Sequence, residues 1–313
     1  MIMQQITASR RHMIDLDALQ AEEIEEILVT TDSMKEVLSR EIKQVPALRG
    51  RTVVNMFFEE STRTRISFEL AARALSANIV NFTARGSSVE KGESLIDTVR
   101  TLQALGADMV VIRHSQSGAP YLVAQHFHGS VINAGDGRHA HPSQALLDLF
   151  TIRERLGQLC DLKVVIVGDI LHSRVARSDI WGLTRMGAQV TLCAPPTLLG
   201  PSHYWLATWP NIQISHHLDT ALEGADVVMA LRIQKERMQG GLLPSLREYS
   251  RHYGLTPERL ARLGQHTLIM HPGPMNEGVE ISPEAATAPN SVIEAQVTNG
   301  VAVRMALLYR LGG

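Results

Sequence analysis

Short apolar runs alternate with amphipathic helical stretches along almost the whole chain, and the alternation stops once and restarts. "RTVVNMFF" (51–58) leads into "TRTRISFELAARALSA" (62–77), and "NIVNF" (78–82) leads through a polar stretch into "SLIDTVRTLQALG" (94–106). "DMVVIRH" (108–114) precedes "GAPYLVAQHF" (118–127), and "SVINAG" (130–135) precedes "HPSQALLDLFTIRERLG" (141–157). The second series begins with "KVVIVGDI" (163–170) and the helix "SRVARSDIWGLTRMG" (173–187), then "QVTLCAP" (189–195), "VVMAL" (227–231) and "TLIMHP" (267–272). Runs that are apolar throughout need burial on both faces, which calls for parallel strands with helices above and below.

The expected fold is therefore α/β, with two doubly wound parallel-sheet domains joined by helices and the active site in the cleft between the domains. A length of 313 residues fits two such domains. The first is placed at 1–148 and the second at 149–291, and the amphipathic helix 292–313 is long enough to return to the first. Residues 15–43 read as helical, because Leu16, Leu19, Ile24 and Ile27–Leu28 recur at spacings of three and four. The polar, Arg-rich section 232–265 is expected to hold a mobile loop around "QKERMQGGLLPS", where Gly240, Gly241 and Pro244 break regular structure.

Several partners are excluded at this stage. A net charge of -2 gives no global basic field for nucleic acid. The start of the chain has no signal-peptide core, and no stretch approaches the roughly 20 apolar residues that a membrane helix needs. Cys160 and Cys193 are too few for a disulfide framework and fit a reducing compartment. The expectation is a cytoplasmic protein.

Open α/β sheets bind ligands outside the carboxyl ends of their strands, so function belongs in the strand-end loops. "EESTRTR" places Ser61, Thr62, Arg63, Thr64 and Arg65 in a row where a strand gives way to a helix. Free N–H groups of the first helical turn, the helix dipole, hydroxyls and a planar guanidinium together make an anion cradle. A cap alone would use one hydroxyl of that row. Ser87 and Lys91, in "ARGSSVEKGES" (84–94), could also serve an anion, although by composition this is a solvated loop with a cap at Ser94. Arg113 ends an apolar strand, where a guanidinium needs a partner. His141 precedes Pro142 at a helix start, with Gln144 one turn in. His139 and His141 have no third ligand at a metal-site spacing, so no metal is expected.

In the second half, "VVIVGDILHSRVARSD" has Gly168 but lacks the later glycines of a dinucleotide fingerprint, and Arg174 and Arg177 open the helix instead. Arg232 and Gln234 follow another strand, and "HPGP" (271–274) makes a rigid turn. No Walker loop, serine elbow or catalytic cysteine stands out. The residues read as sites for two anionic small molecules, one per domain, with no metal, no cofactor and no covalent nucleophile.

"FFEESTRTR", "SSVEKGES", "IRH", "HPSQALLD", "GDILHSRVARS", "LRIQKER" and "HPGPMN" occur in this order, and on them nearly the whole chain resembles the catalytic chains of the aspartate carbamoyltransferase family. The related ornithine enzymes usually have Lys at Glu59, Cys at Ser143 and "HCLP" where this chain has "HPGP". The resemblance implies that Ser61, Thr62, Arg63 and Thr64 bind the phosphate of carbamoyl phosphate. Ser87 and Lys91 would reach that site from a neighbouring subunit of a homotrimer. Thr64, Arg113 and His141 would surround the carbonyl oxygen, with Gln144 on the carbamoyl nitrogen. Lys91, Arg174, Arg232, Gln234, Pro272 and Gly273 would bind L-aspartate. Arg63, Thr64, Arg113 and His141 would thus carry catalysis. Regulatory or dihydroorotase-like chains are candidate further partners. Two alternatives are a carbamoyltransferase for another amine such as ornithine, and a non-catalytic assembly subunit. One position departs from the family pattern: Glu277 stands where many members carry Arg.

Overall fold

A computed structural model describes residues 11–83, 92–200, 209, 212–234 and 241–313. The chain divides into two compact units, the first comprising Met1–Asp15, Ile27–Gly137 and Val301–Gly313 and the second Leu16–Glu26 and Arg138–Gly300. The division falls within the first and last long helices, α1 (Ala21–Ser39) and α8 (Ile293–Gly312). Among the described residues no helix is long and apolar enough to cross a membrane.

Unit 1 is built on β1 (Thr52–Phe57), β2 (Asn78–Thr83), β3 (Met109–His114) and β4 (Ser130–Asp136), in the order β2-β1-β3-β4 and all parallel. The helices α2 (Thr62–Ala74), α3 (Leu95–Ala104) and α4 (Ala119–His126) supply the crossovers. Val54, Met56, Val110, Ile112 and Val131 form the centre of its core, which is why those strands read as continuous apolar runs. Met13 extends the sheet, donating to Val131 O at 2.8 Å and accepting from Asn133 N at 2.8 Å. The end of α8 is fastened here: Arg304 Nη1 donates to Ser67 Oγ at 2.8 Å with its guanidinium 5.2 Å from the Phe68 ring centre.

Unit 2 holds β5 (Lys163–Val167), β6 (Gln189–Cys193), β7 (Gln213–Ser215), β8 (Val227–Ala230) and β9 (Leu268–Met270), in the parallel order β7-β6-β5-β8-β9. Its longer helices are α5 (Pro142–Leu156), α6 (Arg174–Arg185) and α7 (Leu246–Tyr253). Val165, Val167, Val228, Ala230 and Ile269 lie at the centre of its core.

Three elements differ from the sequence reading. The first helix covers Ala21–Ser39 rather than 15–43, because the Glu23 carboxylate accepts from Gln20 N at 2.8 Å and fixes the start. The strand β7 has three residues, too short for periodicity to register. The helix α7, which the sequence reading did not place, follows the expected loop in the polar section 232–265, and Ser245 caps it by accepting from Glu248 N at 3.1 Å. The Ser245–Glu248 spacing is a capping box that the sequence does display. Residues 235–240 of the expected mobile loop lie outside the described residues.

Candidate active site

In unit 1 the strand order reverses between β1 and β3, so the loops after these two strands flank the switch point where such sheets bind ligands. The two strand ends are locked together by Phe58 N donating to Arg113 O at 2.9 Å. The loop after β1 ends at Ser61, the extended N-cap of α2, whose hydroxyl makes no capping bond. The first-turn N–H groups of α2 therefore keep their donor capacity away from that side chain. Thr62 and Arg63 are exposed on this turn, and Thr64 is buried. Arg113 is held at the end of β3 by Nη1 donating to Ala134 O at 3.3 Å and Nη2 to Glu59 Oε1 at 3.4 Å. Beside it, burial pulls His114 below the ordinary imidazole value against the opposing influence of Asp136 and Glu59. Ser87 and Lys91 lie outside the described residues.

In unit 2 the reversal lies between β5 and β8. Gly168, at the end of β5, has φ +132, and a Cβ there would stand 2.9 Å from Leu231 O. Its glycine character thus serves the close approach of the two strand-end loops. Asp169, next in line, accepts from His172 N at 3.2 Å and from His172 Nδ1 at 2.8 Å. Burial raises the Asp169 carboxyl, and the His172 bonds work in the opposite direction. Arg174 is buried in the first turn of α6, behind the cap that Ser173 forms with Ala176 N at 3.1 Å. Arg232 and Gln234 are half-buried just beyond β8.

His141 is the N-cap of α5, with Pro142 behind it, and its backbone N–H donates to Ser178 Oγ at 2.9 Å. Gln144 sits one turn along α5 with Nε2 at 3.1 and 3.2 Å from the two oxygens of Asp148. After β9, Gly273 N donates to His271 Nδ1 at 2.8 Å, which makes Nδ1 the acceptor and leaves the ring proton on Nε2, 3.4 Å from Glu280 Oε1. Pro272 and Gly273 are half-buried in this turn, and the Gly273–Pro274 peptide is cis. Glu277 is exposed at its far end, bridged to Ile281.

The structure therefore gathers Ser61, Thr62, Arg63, Thr64 and Arg113 at the switch point of unit 1. It gathers Arg174, Arg232 and Gln234 at that of unit 2, which also carries His141, Gln144, Pro272 and Gly273. Hydroxyls, a helix N-terminus and two guanidiniums suit a phosphate, and two guanidiniums with an amide suit a dicarboxylate. The sequence reading missed the residues behind these groups: Asp148, Asp169, Asp179 and Gln296. A signal existed for one of them, since Asp148 interrupts the apolar stretch "ALLDLF".

Comparison with known proteins matches both halves of the chain. Residues 11–154 match the family model "Aspartate/ornithine carbamoyltransferase, carbamoyl-P binding domain", and residues 160–311 match "Aspartate/ornithine carbamoyltransferase, Asp/Orn binding domain". The chain is 77% identical over 308 residues to the aspartate carbamoyltransferase catalytic subunit of Chloroflexus aurantiacus, covering 98% of this chain and 100% of the relative. Aspartate transcarbamoylase from Trypanosoma cruzi, solved with carbamoyl aspartate and phosphate, superposes with a TM-score of 0.88 at 29% identity, over 97% of each chain. The catalytic subunit of M. jannaschii aspartate transcarbamoylase gives 0.85 at 34% identity, over 96% of this chain and 98% of that one.

Proposed function

This chain belongs to the aspartate/ornithine carbamoyltransferase family, and on that premise we propose the role of each site residue in its reaction. The activity is transfer of the carbamoyl group of carbamoyl phosphate to the amine of L-aspartate, giving N-carbamoyl-L-aspartate and phosphate. The metabolic setting is pyrimidine synthesis in the cytoplasm, a compartment that suits the free thiols of Cys160 and Cys193.

Ser61, Thr62, Arg63 and Thr64 bind the phosphate. The observation that carries this reading is the seating of a helix N-terminus without a Ser61 side-chain cap and Arg113 together at the switch point of the first sheet. By ligand, residues 1–148 with 292–313 serve carbamoyl phosphate and 149–291 serve aspartate, a division that assigns the start of α5 to the first substrate although α5 belongs to the second compact unit. Arg174, Arg232 and Gln234 take the two carboxylates of aspartate, and the backbone of Pro272 and Gly273 lines their site.

The neutral amine attacks the carbamoyl carbon, and negative charge gathers on the former carbonyl oxygen. Thr64, Arg113 and His141 donate to that oxygen, while Gln144 holds the carbamoyl nitrogen. Donors fixed before the reaction stabilise that charge without reorganising, and loss of one such donor costs about 10²–10³ in rate. Holding both substrates in line supplies much of the remaining acceleration. The C–O bond to phosphate then breaks, and the departing phosphate takes the amine proton, so no strong general base is required.

The active unit is a homotrimer in which Ser87 and Lys91 of a neighbour complete the cradle. Support comes from the exposed apolar side chains Ile66 and Leu70, one turn apart on α2, and Val80 on the edge strand β2. A ureido assay with each amine tests the substrate: product with aspartate and none with ornithine supports the reading, and the reverse overturns it. Mixing Lys91→Ala with Arg63→Ala chains tests the shared site, because mixed trimers then contain intact sites and regain activity.

A further inference from the structure

Two carboxylates are sealed inside unit 2. Asp148 on α5 and Asp179 on α6 are both 0% exposed, on helices that pack against each other. The surroundings of Asp148 decide its charge. Gln296 Oε1 accepts from His271 N at 3.0 Å, which leaves its Nε2 to donate to Asp148 Oδ1 at 2.7 Å. Gln144 Nε2 reaches both Asp148 oxygens at 3.1 and 3.2 Å. Both oxygens of Asp148 are thus acceptors.

Asp179 is placed in the opposite way, since neither of its oxygens meets a hydrogen-bond donor. An ionised carboxylate so buried is far more costly than a neutral acid, and two adjacent buried carboxylates do not both ionise. Burial first, then the charge and hydrogen bond of Asp148, push the Asp179 carboxyl well above the usual carboxylate range. A protonated Asp179 needs an acceptor for its O–H, and Asp148, buried on the helix packed against α6, offers one.

Arg153 meets Glu25 at 2.7 Å, and Glu154 accepts from Asn299 at 3.0 Å. Arg177, two residues before Asp179, stands on the other side of α6. Gln296, which α8 contributes, is neutral. Asp148 is the charged group that raises the Asp179 carboxyl.

We propose that Asp148 and Asp179 share a single proton, and that the pair is a positioning device for acyl-group selection. With its Nε2 held by Asp148, Gln144 presents its carbonyl oxygen to the reacting group. That oxygen accepts from an acyl phosphate bearing an N–H₂ group and offers nothing to one bearing a methyl. A polar group left unpaired in this way is the strongest means a site has of rejecting an analogue. The positioning part rests on the reading of Gln144 as the residue that meets the carbamoyl nitrogen.

The test uses the full chain with carbamoyl phosphate and acetyl phosphate as the two acyl donors. In Asp148→Asn the new amide offers either end to Gln144, which can then flip. The preference for carbamoyl over acetyl phosphate in kcat/KM should fall at least about tenfold, with KM for aspartate changed less than about twofold. Asp148→Ser, smaller and equally able to donate or accept, is the second variant should Asp148→Asn not fold. Asp179→Asn keeps a neutral donor to Asp148 and should retain the preference.

A separate arm needs no substrate. In wild type Asp179 keeps its proton when folded and loses it when unfolded above about pH 4, so stability falls as pH rises. The thermal midpoint of wild type should therefore drop against that of Asp179→Asn between about pH 4 and pH 8. A pH-independent difference overturns the shared proton. An unchanged acyl preference in both Asp148 variants, with Gln144→Ala impaired, overturns the positioning. Unaltered kinetics in Gln144→Ala overturns instead the reading of Gln144 on which it rests.

Discussion

Glu59 and Arg113 form an ion pair of 3.4 Å across the ends of β1 and β3. The pair aims the guanidinium of Arg113, whose other Nη is spent on Ala134 O. Arg113→Ala should therefore lower kcat about 10²–10³-fold, the scale for loss of a donor to a developing oxyanion. Glu59→Ala leaves the donor but not its aim and should cost about tenfold, with Glu59→Gln in between because an acceptor oxygen remains. Steady-state kinetics on the three variants check the order. Equal losses in Glu59→Ala and Arg113→Ala would place Glu59 on the substrate itself.

Gly168→Ala should damage aspartate binding more than carbamoyl phosphate binding. Its φ of +132 disfavours any side chain, and the new Cβ would press on Leu231 O at 2.9 Å. Relief would push the backbone of Leu231 outward and carry Arg232 and Gln234 with it. An increase of about tenfold in KM for aspartate, with KM for carbamoyl phosphate within about twofold, is the expected result.

These two sites differ in how much of them could be read from sequence. The strands β1 to β6 announce themselves as apolar runs because both sheet faces are covered, and Arg113 and Arg232 stand out because charge follows directly upon such a run. The partners of those arginines do not stand out. Glu59 is one of two neighbouring glutamates, and only the pairing of β1 with β3 brings its loop to Arg113. Gln296 and Asp148 meet at 2.7 Å across a sequence separation of 148, a contact that no local pattern encodes. Gly168 stands in the sequence only as the lone glycine of an incomplete fingerprint, and the contact that requires it, Leu231 O just beyond β8, is made only by folding.

Arg304 should matter to stability rather than to chemistry. It is 4% exposed, donates to Ser67 Oγ at 2.8 Å and covers the Phe68 ring at 5.2 Å. Arg304→Ala removes a hydrogen bond from a charged donor, a cation–π contact and the packing of the stem, about 2–4 kcal/mol together. Arg304→Met keeps the packing and should recover at least half of that loss. Urea denaturation of unit 1, followed by a probe in that unit, measures both, and equal stability of the two variants would show that packing contributes nothing here.

The two thiols should differ sharply in reactivity. Cys193 is 0% exposed at the end of β6, and burial pushes its thiol up to about 12 against the weaker pull of Arg259. Cys160 is exposed, and its hydrogen bond and charge contact with Asp161 raise it as well. Since the thiolate is the nucleophile, iodoacetamide at pH 8 should modify Cys160 slowly and Cys193 not at all in the folded protein, with both modified in denaturant. The sign for stability follows from the same shift. Cys193 stays protonated in the fold and ionises in the unfolded chain above its ordinary value near 9.0, so its stabilising contribution is complete below that pH and is lost towards about 12. A shift of this size corresponds to about 4 kcal/mol by the upper end of the window. Wild type should therefore lose denaturation free energy relative to Cys193→Ala as pH rises through 9 to 11, and parallel curves for the two proteins would mean that the thiolate is accommodated in the folded chain.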